Sequence, residues 1–435
     1  RHRQAGSRSL RLIVATFGTK GDTRPMLALC RGLIEAGHEV LLLADRVVQP
    51  LAYAHGVPMQ ALAGDMHGTI ATSSALADAL RQGGDARHMV QAISQVAAEH
   101  TESWLLDLIG AAEGADAILC SGYTGFVGLS AAEYLGIPVI GAGIWPLTPT
   151  REFPAVLLPW QVPAALNHVS HRALNSLFWR RFKPHLNQAR HAVCAQPPRE
   201  HMWQDLPIVY GISRHLLPQP ADWPDSSRIC GAWNLPALDW QPSAALADFL
   251  NAGEAPIYVG FGSMSGRQCQ RSLGAVLEAI GPRRTLLWPG AGCADPGRLP
   301  SHIHVLRDAP HDWLFPRVCM AIHHGASGIS HEVCRAGVPS VVLPFANDQF
   351  FWAGRLAALG VAAPAQPGLR AQVDTLARLI DHADRSDVQA RARQLGALMA
   401  TEDGLERAVH CIEQWVLRSG RLPLRSRRMA LSSAL

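Results

Sequence analysis

Two short stretches carry side chains with chemistry to offer. AIHHGASGISHE, residues 321–332, sets an apolar run before paired histidines, a turn of small residues, and then Ser330, His331 and Glu332. GTKGD, residues 18–22, follows another apolar run and ends in Asp22. A parallel strand ending at Ile322 delivers His323, His324 and Gly325 to the carboxyl edge of its sheet, and the next helix starts near Gly328. Unpaired amides and about half a positive charge gather at such a start. Gly325, Ala326 and Gly328 put little bulk between a phosphate and that backbone. With hydrogen bonds from His324 and Ser330, the stretch can cradle a phosphate or diphosphate. The same residues can also make a tight turn capped by Ser327, with both histidines satisfied locally.

Asp22 has two readings as well. It is a good cap for the helix that follows, and a carboxylate at a strand end can accept a proton from an alcohol that attacks an electrophile. A zinc site is disfavoured, because adjacent histidines at a strand end point in different directions and His331 has no clear carboxylate partner. Asp45 closes a strand after a glycine turn, as the ribose-binding acid of dinucleotide enzymes does. GTKG has Thr19 and Lys20 between its glycines and lacks the central glycine of GxGxxG, which leaves a nicotinamide enzyme a minor reading.

The elements that must position these residues follow one rhythm. LRLIVATF (10–17) and EVLLLAD (39–45) have the length and apolar content of strands covered on both faces. Between them Met26, Leu27, Cys30, Leu33 and Ile34 recur at helical spacing, with Pro25 in the first turn and Gly37 at the end. ADAILCSG and IPVIGAG continue the alternation, and PIYVGFGS, RTLLWPG, HIHVLRDAP, VCMAIHHG and SVVLPF restart it. An α/β fold of two doubly wound, Rossmann-like parallel sheets follows, with ligands expected in the cleft outside the carboxyl ends of the strands. We expect one such domain over 1–216, a proline-rich linker over 217–250 and a second domain over 251–402. A last helix and basic tail, 403–435, are free to return to the first domain. Between Trp145 and Tyr210 the rhythm fails, and fragments such as HRALNSLFWRRF suggest helices and loops over the sheet edge.

Composition narrows the function further. The 435 residues are 48% hydrophobic and 17% charged, enough apolar material for two cores and too much for a disordered chain. A net charge of +4, with no basic stripe interleaved with aromatics, argues against nucleic acid as a partner. Basic residues cluster at the two ends, where they are either solvated or weakly drawn to an anionic membrane surface. Nine cysteines without a CxxC pair suggest a reducing compartment, and no apolar run reaches a membrane span. A soluble, cytoplasmic protein that touches a membrane at most peripherally is the expectation.

Several segments closely resemble the family 1 glycosyltransferases of the GT-B fold: FGTKGDTRPMLALCRGLIEAGHEV, DWPDSSRICGAW, YVGFGSM, DAPHDWLFPRV, HHGASGISHE, RAGVPSVVLPFANDQFFWAGRLAALG and EDGLERAV. The similar branches are sterol 3-beta-glucosyltransferases and bacterial transferases that glycosylate lipids, glycopeptides and polyketides. The matches run in order from Arg11 to Val409, and PHDWLF followed by HHG and PFxxDQ is the specific combination.

The resemblance implies an inverting sugar transfer from a nucleotide sugar to a hydroxyl, with Asp22 as general base. It places Thr19 near the donor phosphates, Ser263 on the diphosphate, and His324 with the turn Gly325, Gly328, Ile329 and Ser330 around the phosphate. Glu332 is implied to bind ribose, Ala309 and His311 to meet base and ribose, and Asp348 and Gln349 to hold the sugar hydroxyls. No metal or other cofactor is implied, since histidine, serine and helix amides meet the phosphate charge. Departures are visible: Ile329 stands where a hydroxyl is common, Asp308 where plant relatives have a stacking tryptophan, and Asn347 where glycine is frequent. Trp288 is available to stack on the base. UDP-glucose is the expected donor, followed by dTDP- or UDP-linked deoxysugars. Trp104, Phe126, Trp145, Phe153, Trp160, Phe178, Trp179 and Trp203 are available to line a pocket for a hydrophobic alcohol such as a sterol, lipid or polyketide; each can equally be core. A non-catalytic nucleotide-binding homologue and a sugar-nucleotide epimerase of similar fold are the rival classes.

Overall fold

The computed structural model describes residues 8–18, 20–64, 86–158, 162–262, 267–288, 299–307, 309–346, 348–368 and 371–419. Seven strands form the first sheet: β1 (Arg11–Ala15), β2 (Glu39–Asp45), β3 (Met59–Leu62), β4 (Ala117–Cys120), β5 (Val139–Gly143), β6 (Ile208–Tyr210) and β7 (Ser227–Ile229). Their order is β3-β2-β1-β4-β5-β6-β7, and every pairing is parallel. The second sheet holds β8 (Ile257–Gly260), β9 (Thr285–Leu287), β10 (Ile303–Val305), β11 (Met320–His323) and β12 (Ser340–Val342) in the order β10-β9-β8-β11-β12, again parallel.

The continuous apolar character of β1 has a direct structural cause. Leu12 and Val14 pack on one face with the helix Lys20–Glu35, while Ile13 and Ala15 pack on the other with the helix Ala86–Ala112. A strand alternates its side chains between faces, so a sheet covered on both needs apolar residues at every position. Leu12 lies opposite Val40 of β2 and Ala117 of β4, which makes β1 an interior strand of its sheet. Strand order reverses between β1 and β4 in the first sheet and between β8 and β11 in the second. Such reversals open a crevice at the carboxyl ends of the strands.

The segment 217–250, expected to link the halves, contributes β7 to the first sheet and buries Leu217, Trp223 and Ile229. A three-residue strand among prolines carries no readable period. The stretch after Trp145 holds one long helix, Asn167–Cys194, and ends in β6. Helix Gly404–Ser419 packs back on the first domain: Ala408, Val409, Ile412 and Val416 join the cluster that includes Leu29 and Leu33, and Leu405 sits over Gly32.

The halves are joined by shared packing. Tyr210, Ile212, Leu216, Leu217 and Trp223 cluster with Trp352, Leu356, Leu395 and Met399. Polar bonds cross the same junction: the Ser213 amide donates to His331 Nε2 at 3.1 Å, Arg355 donates to the Leu216 carbonyl at 2.9 Å, and Ser327 Oγ donates to the Ile144 carbonyl at 2.8 Å.

Candidate active site

A cleft of about 2290 Å³ runs between the two sheets and is lined from both domains. On the N-terminal side, Asp22 lies in the first turn of helix Lys20–Glu35, immediately beyond β1. Its carboxylate folds back over the strand end: a Cβ on Gly18 would stand 2.7 Å from Asp22 Oδ2. Glycine at 18 therefore makes room for the acid. Thr19 lies outside the described residues.

Across the cleft, His324 leaves the end of β11 and its imidazole rests on the backbone after β8. A Cβ on Gly262 would come within 2.8 Å of His324 Cε1, and Gly262 has φ +60°, so this position favours glycine twice over. Burial, then the neighbouring His311, pushes the His324 imidazole down to about 4, while a bond to the Gly260 backbone opposes the shift. The ring is neutral at pH 7. His323 belongs to the protein interior: it accepts from the Gly325 amide through Nδ1 and meets Ser340 Oγ through Nε2 at 3.1 Å.

The helix Ser327–Arg335 starts at the cleft. Its first amides have no carbonyl four residues back within the helix. The Ser327 amide is taken by Asp348 Oδ2 at 3.2 Å, and the Ser330 amide bonds the Ala326 carbonyl at 3.0 Å. Between these lie Gly328 and Ile329, both on the cleft wall, and apart from its chain neighbours and its own helix backbone no atom of the described residues stands within 4 Å of where a Cβ on Gly328 would be. An anion can approach there. Gly325 and Ser330 do not line the cleft. Gly325 makes the turn at φ +89°, where a Cβ would collide with Val342, and Ser330 is fully buried.

Beside the cradle, His311 Nδ1 donates to Glu332 Oε2 at 2.5 Å, and its ring stacks on Phe315 at 4.6 Å. Burial pushes the Glu332 carboxyl up, but His311, Arg24 and His331 together outweigh it and hold the group below its usual range. Ala309 and Trp288 also face the cleft, and Trp288 lies 6.0 Å from His311, ring to ring. Asp348 accepts from Trp352 Nε1 as well as from Ser327. Burial drives its carboxyl up to about 7, against the Ser327 bond, and the charge of Asp22 adds to the rise. Gln349 turns its Oε1 to the amides of Phe345 and Ala346, bracing the loop that carries Asp348.

Of the residues expected at the site, Asp22, Ala309, His311, His324, Gly328, Ile329, Glu332, Asp348 and Gln349 share the one cleft. Ser263, like Asp308 and Asn347, lies outside the described residues. Arg24 was not anticipated. It lines the cleft from the first domain and acts on Glu332 of the second, a relation that no local pattern announces.

The rest of the cleft is an apolar chamber in the first domain, walled by Phe126, Trp145, Phe178, Trp179 and Trp203. Trp104 is core, fully buried with Nε1 bonded to the Ala63 carbonyl, and Phe153 packs on Phe351. Trp160 lies outside the described residues. Helix Asn167–Cys194 adds His168, Arg172, Asn175 and Phe182 to the chamber wall.

Residues 12–154 match the glycosyltransferase family 28 N-terminal domain. The chain is 32% identical over 418 residues to the O-mycaminosyltylonolide 6-deoxyallosyltransferase of Streptomyces fradiae, covering 93% of this chain and 97% of that one. It is 30% identical over 429 residues to the sterol 3-beta-glucosyltransferase of Aspergillus fumigatus, covering 93% of this chain but only 30% of that protein's length. Among solved structures, the glycotransferase of kitacinnamycin superposes with a TM-score of 0.67 at 21% identity, over 94% of this chain and 100% of that one. A Streptomyces sp. SF2575 glycosyltransferase complexed with thymidine diphosphate superposes at 0.60 with 18% identity, over 93% and 99%.

Proposed function

This chain belongs to the GT-B glycosyltransferases, and on that premise we propose that it moves a hexose from a nucleotide sugar to a hydroxyl of a hydrophobic acceptor, with inversion. One observation carries the reading: Asp22 at the reversal of the first sheet and the His324 cradle at the reversal of the second line the same cleft. The donor lies on the second domain, with its diphosphate at Gly328, Ile329 and His324, its ribose at Glu332 and its sugar near Asp348. The acceptor hydroxyl gives its proton to Asp22 as its oxygen forms the new bond to the anomeric carbon. The bond from that carbon to the diphosphate oxygen breaks on the opposite face. Charge released on the leaving group falls where the helix amides point, so it is stabilised most as it develops. Holding both reactants in one cleft removes much of the entropic part of the barrier.

UDP-glucose is the favoured donor, in keeping with the sterol glucosyltransferase relative. A dTDP- or UDP-linked deoxysugar is the second candidate, in keeping with the Streptomyces relative and the neighbour complexed with thymidine diphosphate. The aromatic chamber supports an apolar acceptor of the sterol, lipid or polyketide kind. The test pairs nucleotide sugars with a panel of apolar alcohols and reads the product by mass spectrometry. Asp22→Asn is expected to cut transfer by about 10²- to 10⁴-fold while nucleoside diphosphate still binds. Full activity in that variant would remove Asp22 from the mechanism.

A further inference from the structure

On the far side of the chamber wall lies a second, smaller hollow of about 430 Å³ that opens to solvent. Leu129, Val139, Trp203 and Leu206 line both spaces, so one layer of side chains separates them. We infer that Trp203 is the partition that ends the acceptor chamber and so sets the length of acceptor the enzyme takes, an inference that rests on the transfer reading above.

The indole is the largest member of that layer, and it is fixed from several directions. Its Nε1 donates to Glu133 Oε2 at 3.0 Å. The Arg199 guanidinium lies over the ring, 4.1 Å from its centroid, and donates to the same carboxylate oxygen at 2.9 Å. Glu133 is anchored in turn by Arg190, a nearly fully buried arginine that donates to Oε1 at 3.2 Å and to Ser130 Oγ. The chain around the indole is pinned to helix Asn167–Cys194. Asn187 exchanges two hydrogen bonds with the Arg199 backbone, and Trp179 Nε1 donates to the Glu200 carbonyl. Trp179 meets Trp203 edge to face at 6.0 Å on the chamber side. Rotating the indole out of the wall therefore breaks the bond to Glu133 and the stack on Arg199 together. Glu133 and Arg199 are positioning residues, and Trp203 is the surface an acceptor meets. The donor residues sit on the other domain, so the partition governs acceptor choice separately from donor binding.

The experiment uses the full chain and 4-alkylphenols of increasing tail length. It measures kcat/KM for sugar transfer and, without donor sugar, the Kd of each phenol by calorimetry in the presence of nucleoside diphosphate. Trp203→Ala joins the two spaces, and the ratio of kcat/KM for long over short tails is expected to rise about tenfold or more. Glu133→Gln and Arg199→Met shift the ratio the same way through the acceptor KM. Arg199→Lys restores only part of the discrimination, because an ammonium keeps the charge but not the planar stack. Trp203→Phe provides a milder variant should the alanine protein not fold. A tail-length profile identical to wild type, in a Trp203 variant with wild-type affinity for nucleoside diphosphate, overturns the inference. If wild-type protein transfers sugar to none of the phenols, the transfer reading is what fails; the Kd profile still decides the partition.

Discussion

At the scale of single residues, the proposed donor site holds one imidazole, His324, neutral in the absence of an anion. Burial and His311 hold His324 down at about 4, so the free protein carries no proton there at pH 6. A diphosphate against the ring acts in the opposite sense and favours the imidazolium. Binding of nucleoside diphosphate at pH 6 should therefore take up a fraction of a proton, beyond what the nucleotide's own phosphate contributes. Calorimetry in buffers of different ionisation enthalpy reads that fraction directly. His324→Gln is expected to abolish it and to weaken binding about tenfold to a hundredfold, the range for a hydrogen bond to a charged group. Equal proton uptake in both proteins would place the phosphate elsewhere.

At the scale of the element, helix Ser327–Arg335 has two duties, and they use different parts of it. Its first turn faces the cleft, while His331, one turn on, fastens it to the first domain. His331 Nδ1 donates to the Ser327 carbonyl at 2.7 Å, which leaves Nε2 to accept the Ser213 amide. Burial pushes the ring below its ordinary value, against the Ser327 bond and the charges of Glu402 and Glu332, in keeping with the neutral form that this bonding requires. Removing it strands the fully buried Ser213 amide. His331→Ala should cost about 1–3 kcal/mol in urea unfolding at pH 7. The sign with pH is also fixed: above the unfolded value of about 6.5 neither state is protonated there. As pH falls below it, the unfolded chain gains the proton first and stability drops. The variant should show a shallower loss in acid than wild type, and an equally steep loss would assign the acid sensitivity to other groups.

For the molecule as a whole, the returning helix Gly404–Ser419 ties the far end of the chain to the first domain. Its first residue touches the backbone after β7: a Cβ on Gly404 would lie 2.5 Å from the carbonyl oxygens of both Gly231 and Ala232. Backbone cannot yield as a side-chain end can, so Gly404→Ala must push the helix off the cluster of Ala408, Val409, Ile412 and Val416. The expected cost is about 1–3 kcal/mol, the range for an overpacked contact. It appears as a lower thermal midpoint with nucleoside diphosphate affinity retained, because the residues proposed to hold the donor lie on the other domain. An unchanged midpoint would mean that the helix start moves freely.

Much of this protein is settled by local sequence. The unbroken apolar runs from Leu12 to Ala15 and from Met320 to Ile322, each ending at a glycine turn, read as strands buried on both faces, and two sets of them separated by helical spacing give two parallel sheets. The glycines at 18 and 325 and the histidine pair mark strand ends where chemistry can be placed. Tertiary structure alone decides the rest. Sequence points to His324 for the phosphate but does not say where either ring goes; packing turns His323 inward to Ser340 and His324 onto Gly262. It cannot join Arg24 to Glu332, nor Trp203 to Glu133, nor place β7 in the first sheet, because each pairing closes across a long loop and leaves no period behind. Periodicity reports which face of an element is buried, but not what buries it. Partners across a cleft or a wall are fixed only when the whole chain has packed.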